Sequence, residues 1–219
     1  MPPKPKFTKE DILNAAFELA QEKGINGVVA REVGKKLGTS ASPIFTFWNS
    51  MEDLQNDVKE KAFKLYCSYL SVANKFSPSF RKRGMQMVKF AQEQPKLFQL
   101  LFMNEQKPMD YQDLIGSFAP GFSKDLKIIQ RIYGTTDEET MVIFNHIGVQ
   151  AYGICVLCAN KICSFSDKEI SDILGRSFAG MVLLVKSGKL KDITVSPALK
   201  NTEEGHMFEK PFTNNNQEE

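Results

Sequence analysis

The chain has 219 residues, with 28 Lys and Arg against 26 Asp and Glu, for a net charge of +2. So even a balance gives no global nucleic-acid signal, and any positive potential must come from local clusters such as PPKPKFTK and REVGKK. The apolar content is enough for a sizeable core, no apolar run reaches membrane-spanning length, and four cysteines without a secretion signal favour reduced thiols and a cytoplasmic home.

The opening MPPKPK reads as a flexible basic arm carrying Lys4 and Lys6, too short and polar for a signal peptide. Thr8 then starts a helix through the capping box T-K-E-D, which reaches Asp11. Ile12, Leu13, Ala16, Phe17 and Ala20 form its apolar stripe, and Gly24 ends it. Residues 28–48, VVAREVGKKLGTSASPIFTFW, follow as two short helices joined by a tight turn. Val33 and Leu37 share one face of the first helix, and Gly38 supplies the positive φ that ends it. Ser40 caps the second helix through the N–H of Ser42, and Pro43 is tolerated in its first turn. Ile44 and Trp48 face inward, leaving Ala41, Ser42, Thr46 and Phe47 outward. Small side chains on that face let a helix sink into the DNA major groove. The bland alternative is an αα-corner inside a helical protein. Ser50 and Asp53 make a further capping signal, S-M-E-D, at the start of a long amphipathic helix.

The order helix, short helix, short helix, long helix resembles the N-terminal domain of TetR-like (tetracycline-repressor type) bacterial transcription regulators. The marks are ILNAAFELAQEKG, Arg31, Val33, Leu37–Gly38, Ser40, Ile44, aromatics at Phe45 and Trp48, and the Ser50-to-Leu54 helix entry. They cover about the first quarter of the chain. The resemblance implies double-stranded DNA as a partner. The residues nominated to meet it are Arg31, Lys35, Lys36, Thr39, Ser40, Ala41, Ser42, Pro43, Phe45, Thr46 and Phe47. The chain departs from the family where Phe45 replaces a common tyrosine and Met51 a common lysine. Val28 and Val29 stand where Ser or Thr is favoured. Each departure removes a phosphate contact, which shifts weight onto Arg31, Lys35, Lys36 and the basic arm.

The remainder reads as helical, which makes the fold all-α, with a three-helix domain at 1–50, a larger helical domain at 51–188 and a polar, disordered tail at 189–219. The helix from Met51 stops near Ser77-Pro78. RKRGMQMVKFAQEQ ends at Pro95, which starts PKLFQLLFMN. MDYQDLIGSFAPGFSKDLKIIQRIYG is broken by Pro120 and Gly121. Thr136 and Ser166 cap the last two helices, and Gly188 closes the second of them.

Gly148, Ala151 and Gly153 on one of these, and Ala179 and Gly180 on the other, lie among Val149, Tyr152, Phe178, Met181, Leu184 and Val185. They form either a monomer core or a four-helix homodimer face; the resemblance implies the dimer, which would set two DNA-reading helices about 34 Å apart on a palindromic operator. The central region is rich in Phe, Met and Tyr on short, broken helices. It is either ordinary core or a pocket for a small apolar or aromatic molecule, which the resemblance implies is an inducer. The nominated lining is Phe98, Phe102, Met103, Tyr111, Phe118, Phe122, Phe144 and Tyr152, with Phe90 and Met109 nearby.

Cys155, Cys158 and Cys163 raise a metal or redox sensor, but a structural zinc site needs four ligands and only His146 stands close upstream. Buried small hydrophobes are the simpler reading. His146 reads as a packed or pocket-lining residue. No G-x-S-x-G, phosphate-binding loop, dinucleotide glycine pattern or H-E-x-x-H is present, so nothing nominates an enzyme or a cofactor. The expected protein is a ligand-responsive repressor. The alternative is a helical ligand-binding or protein-interaction module that has lost operator binding.

Overall fold

The computed structural model describes residues 7–77, 79–104 and 114–188. Four helix starts rest on the same local chemistry. Thr8, Ser50, Thr136 and Ser166 each accept the backbone N–H three residues on, at 3.1, 3.1, 3.2 and 3.3 Å. The acid at that third position accepts the cap's own N–H in return. Each exchange satisfies two donors that a helix start leaves orphaned.

The helices are α1 (Lys9–Lys23), α2 (Ala30–Lys36), α3 (Met51–Ser71), α4 (Phe80–Glu93), α5 (Pro95–Phe102), α6 (Leu114–Phe118), α7 (Ser123–Tyr133), α8 (Asp137–Ala159) and α9 (Asp167–Lys186). The expected all-α class and the expected breaks are present, including Gly121 at φ +82° between α6 and α7. α3 packs on α1 at one end and on α4 and α5 at the other. A second junction joins α1 to α5, where Gln21 Nε2 donates to Gln94 Oε1 at 2.8 Å. Beyond it, α4 and α8 form the centre, with α9 against both and α6 and α7 on α8.

Tyr66 is the hinge of this packing. It is fully buried on α3, with its ring edge-on to Phe90 at 5.1 Å and Phe102 at 4.9 Å. Its hydroxyl donates to the Phe118 carbonyl, which ties α3 to α6. Rings of this size bury a large apolar area, and each edge-on pair adds about 0.5–1.5 kcal/mol.

Two sequence expectations need correction. By length and composition α8 is apolar enough to cross a membrane. Its apolarity serves the interior instead: Ile143, Phe144, Ala151, Ile154 and Cys155 are buried as it runs along α4. The small-residue face of the last two helices also divides. Gly148 lies under Ile115, where a Cβ would come within 2.9 Å of Cδ1, and Ala151, Phe178 and Val185 are core. The face turned outward carries Val149, Gly153, Ala179, Gly180 and Leu183, with Leu183 70% exposed. The arm with Lys4 and Lys6, Met109, Tyr111 and the 189–219 segment lie outside the described residues.

Candidate functional site

The turn after α2 is built by backbone alone. Gly38 takes φ +66°, and its N–H donates to the Lys35 carbonyl at 3.1 Å, while Thr39 N–H reaches back to the Gly34 carbonyl at 2.9 Å. That pair of bonds is the Schellman closure, which satisfies two carbonyls the helix end would leave open. Gly34 makes it possible. A Cβ there would sit 2.9 Å from the Ser40 carbonyl group and from the Thr39 oxygen. The sequence reading passed over Gly34; a glycine four residues before the helix-ending Gly38 was the available signal.

After the turn the chain does not form the expected α-helix. Ser40 Oγ accepts the Ser42 N–H at 3.4 Å, as the sequence implies. Pro43 then offers no N–H, and the following bonds run three residues back: Ile44 to Ala41, Thr46 to Pro43 and Phe47 to Ile44. Ile44–Thr46 is therefore a single 3-10 turn. Ile44 and Trp48 still face inward, at 1% and 5% exposure. The indole N–H of Trp48 donates to Asp57 Oδ2 at 2.8 Å and locks the turn against α3. That indole bond is the main reason the Asp57 carboxyl is held below its ordinary value, with the Lys9 ammonium at 3.1 Å assisting.

Ser40, Ser42, Phe45 and Thr46 are exposed on the outer side of this turn, and Arg31 and Lys35 are exposed on α2. Thr39, Ala41, Pro43 and Phe47 are half-buried, with Phe47 edge-on to Trp48 at 6.1 Å. Lys36 differs from the other nominated cations. Its ammonium pairs with Glu18 at 3.1 Å and Glu22 at 2.9 Å, bracing α2 on α1. The Val28 and Val29 departure has a visible consequence, since Val29 at the N-cap of α2 provides no side-chain cap.

The nominated pocket residues separate into two groups. Phe98, Phe102, Phe118 and Tyr152 pack on one another, with Phe118 stacked on Tyr152 at 4.7 Å, and the Tyr152 hydroxyl donates to the Phe102 carbonyl at 2.7 Å. Phe98 is core, while Phe102, Phe118 and Tyr152 are half-buried against it; Phe102 and Phe118 also border a separate groove beside Phe63, and Met103 lies exposed at the end of α5. Phe122 and Phe144 do line a cavity of about 40 Å³, together with Phe80, Met87, Ile115 and Phe178. One polar pair borders it: Arg83 and Asp125, both buried. Sequence reading missed this pair, because the two residues meet only when α4 and α7 are folded together.

Cys155 and Cys158 are buried and Cys163 is exposed. Burial pushes both buried thiols up, Cys155 furthest, which suppresses the reactive thiolate. His146 is exposed on α8, contrary to the expectation that it packs or lines a pocket.

Residues 12–58 match the model of the bacterial regulatory proteins of the tetR family. The chain is 29% identical over 97 residues to an HTH-type transcriptional repressor of Mycobacterium tuberculosis and to an uncharacterised HTH-type transcriptional regulator of Mycobacterium bovis. That alignment takes in 43% of this chain and 37% of each relative's length. In three dimensions the chain is similar to a TetR-like transcriptional regulator from Rhodococcus sp. RHA1, with a TM-score of 0.54 at 13% identity, over 83% of this chain and 96% of that one. Residues 12–58 thus carry the N-terminal motif of the tetR family of bacterial regulatory proteins, and the helical fold as a whole is similar to that of a TetR-like regulator.

Proposed function

We propose that the protein is a cytoplasmic, ligand-responsive repressor that binds a palindromic operator as a homodimer. Residues 1–50 would read DNA, and residues 51–188 would dimerise and bind a small apolar or aromatic inducer. The observation that carries this reading is the turn itself. Gly34, Gly38 and the Trp48–Asp57 bond hold Ser42 and Thr46 outward beside the exposed Arg31 and Lys35. Short polar side chains beside cations suit close approach to a groove and its phosphates.

The outward face of α8 and α9 supports the dimer. Val149, Gly153, Gly180 and Leu183 leave it apolar and low, so a second copy can pack closely. The cavity supports the inducer, and its connections support the coupling. α4 lines the cavity at Phe80 and Met87 and ends beside Gln94, which holds Gln21 of α1. A ligand that alters α4 can therefore bias how the DNA-reading motifs sit, as can α3, which packs on both α1 and α4.

One observation favours the second reading, a helical module without operator binding. The DNA-facing segment is a single 3-10 turn, and Phe45, Met51, Val28 and Val29 offer no phosphate contacts. Retention of genomic fragments on the purified protein, followed by footprinting, distinguishes the two. Two protected half-sites about one helical turn apart support the repressor. No fragment retained above background supports the second reading.

A further inference from the structure

Arg83 stands on α4 with 6% of its surface exposed. Its Nη1 donates to the Pro120 carbonyl at 3.2 Å, and its Nη2 to Asn74 Oδ1 at 3.2 Å and Ser79 Oγ at 3.4 Å. Its Nε has no hydrogen-bond partner: it lies 3.6 Å from Asp125 Oδ2, within ion-pair range and beyond a hydrogen bond. Asp125 is already engaged, since both its oxygens accept from Ser79 Oγ at 2.7 Å and one also accepts the Ser79 N–H at 3.0 Å. Asp125 balances the charge, but a buried N–H without an acceptor at bonding distance is costly and marks a place where an acceptor can sit.

The two residues stand between a wider cleft lined by Asn74, Ser79, Pro120 and Lys124 and the apolar cavity whose other walls are Phe80, Met87, Phe122, Phe144 and Phe178. Phe80 leans on Phe178 at 4.4 Å and on Phe144 at 5.9 Å, so the body of any occupant meets rings. Asp125 cancels the charge of Arg83. An anion would enter beside a carboxylate, and a cation beside a guanidinium, each leaving water for a site with no net charge to receive it. An uncharged molecule avoids both costs and needs only one polar atom, an acceptor.

We propose that this cavity binds a small, apolar, uncharged molecule carrying one hydrogen-bond acceptor, a carbonyl or ether oxygen, that takes the Nε–H of Arg83. The inference rests on the ligand-responsive reading above and names its ligand class. The present volume of about 40 Å³ holds little more than a water, so Met87 and the surrounding rings move aside on entry. The acceptor then sits beside the guanidinium that grips Pro120, at the break between α6 and α7.

The test titrates the full chain, labelled with nitrogen-15, with acetophenone, ethylbenzene and benzoate. Affinity is read by calorimetry and the Arg83 Nε–H resonance by NMR. Acetophenone should bind roughly 10- to 100-fold more tightly than ethylbenzene, the ratio expected for one hydrogen bond to a charged donor. It should shift the Nε–H resonance where ethylbenzene does not, and bind more tightly than benzoate. Arg83→Lys keeps a cation beside Asp125 without an Nε–H and should erase the preference; if that variant does not fold, the wild-type resonance decides. Equal affinity for the ketone and the hydrocarbon, tighter binding of benzoate, an unmoved resonance or no binding of any of the three overturns the proposal. Operator retention is measured separately on the ligand-free protein, so its absence there counts against the repressor reading alone.

Discussion

The indole of Trp48 donates its N–H to the Asp57 carboxylate at 2.8 Å, closing the 3-10 turn of the motif onto α3. Lys9 lies over the same indole at 5.1 Å and pairs with the same carboxylate at 3.1 Å, so α1 joins the clamp. Three elements of the N-terminal motif therefore meet at one carboxylate.

That arrangement has a pH signature. Asp57 titrates below its ordinary value in the folded protein, first because of the indole bond and then because of Lys9. Its contribution is therefore fully present above the unfolded value of about 3.9 and is lost as pH falls through the lower folded value. The stability difference between wild type and Asp57→Asn should be largest near neutral pH and shrink on acidification below about pH 4. Trp48 is the single tryptophan of the chain, so its fluorescence in denaturant series reports the clamp directly. A difference that stays constant down to pH 2 would show that Asp57 carries no such linkage.

Gly34 is expected to be intolerant. In Gly34→Ala the new methyl would meet backbone atoms of Thr39 and Ser40 at 2.9 Å, and backbone cannot step aside as a flexible side chain can. A loss of about 1–3 kcal/mol follows, with operator affinity falling as the turn distorts. Gly175→Ala is the control. Its nearest neighbour is Arg81 Nη1 at an ordinary 3.7 Å, so relief of helix-glycine entropy should leave it neutral or stabilised by about 0.5–1 kcal/mol. Chemical denaturation of both variants measures the contrast.

The dimer proposal predicts that Leu183→Glu separates the subunits without unfolding them. Leu183 is 70% exposed in the single chain, so the charge costs little there. In a packed interface it would be desolvated without a partner. Sedimentation should show wild type as a dimer at micromolar concentration and the variant as a monomer with unchanged helicity. A monomeric wild type would remove the interface.

Local chemistry was legible in the sequence, and assembly was not. The capping boxes at Thr8, Ser50, Thr136 and Ser166 join residues only three positions apart, so they are set by local sequence spacing. The inward turn of Ile44 and Trp48 follows from the same short-range periodicity. The motif's second helix was overestimated because Pro43 and the Ser40 cap favour bonds to the third residue back over a full α-helical turn. The division of the nominated pocket residues was hidden for a different reason. Phe102, Phe118, Phe122 and Phe144 are alike in sequence, and only the docking of α6 on α8 and of α3 on α5 decides which rings border the cavity beside Phe178 and which the groove beside Phe63. The Arg83–Asp125 pair joins residues on α4 and α7 that no local pattern links. On α8 and α9 the spacing of small residues does not separate core from outer face, and the fold turns Gly148 and Ala151 inward and Gly153 and Gly180 outward.

The most direct measurement is the affinity of the full chain for a retained genomic fragment across a salt series, for wild type and Thr46→Asp. Thr46 is exposed, so the change should leave stability within about 0.5 kcal/mol while setting a negative charge against phosphates. Wild type should bind specifically, with log affinity falling linearly against log salt, and Thr46→Asp should lose most of that specific binding while unfolding at the same denaturant midpoint. Equal affinity for the two proteins, or a wild-type affinity indifferent to salt, would contradict a DNA-reading role for the segment from Ser40 to Phe47.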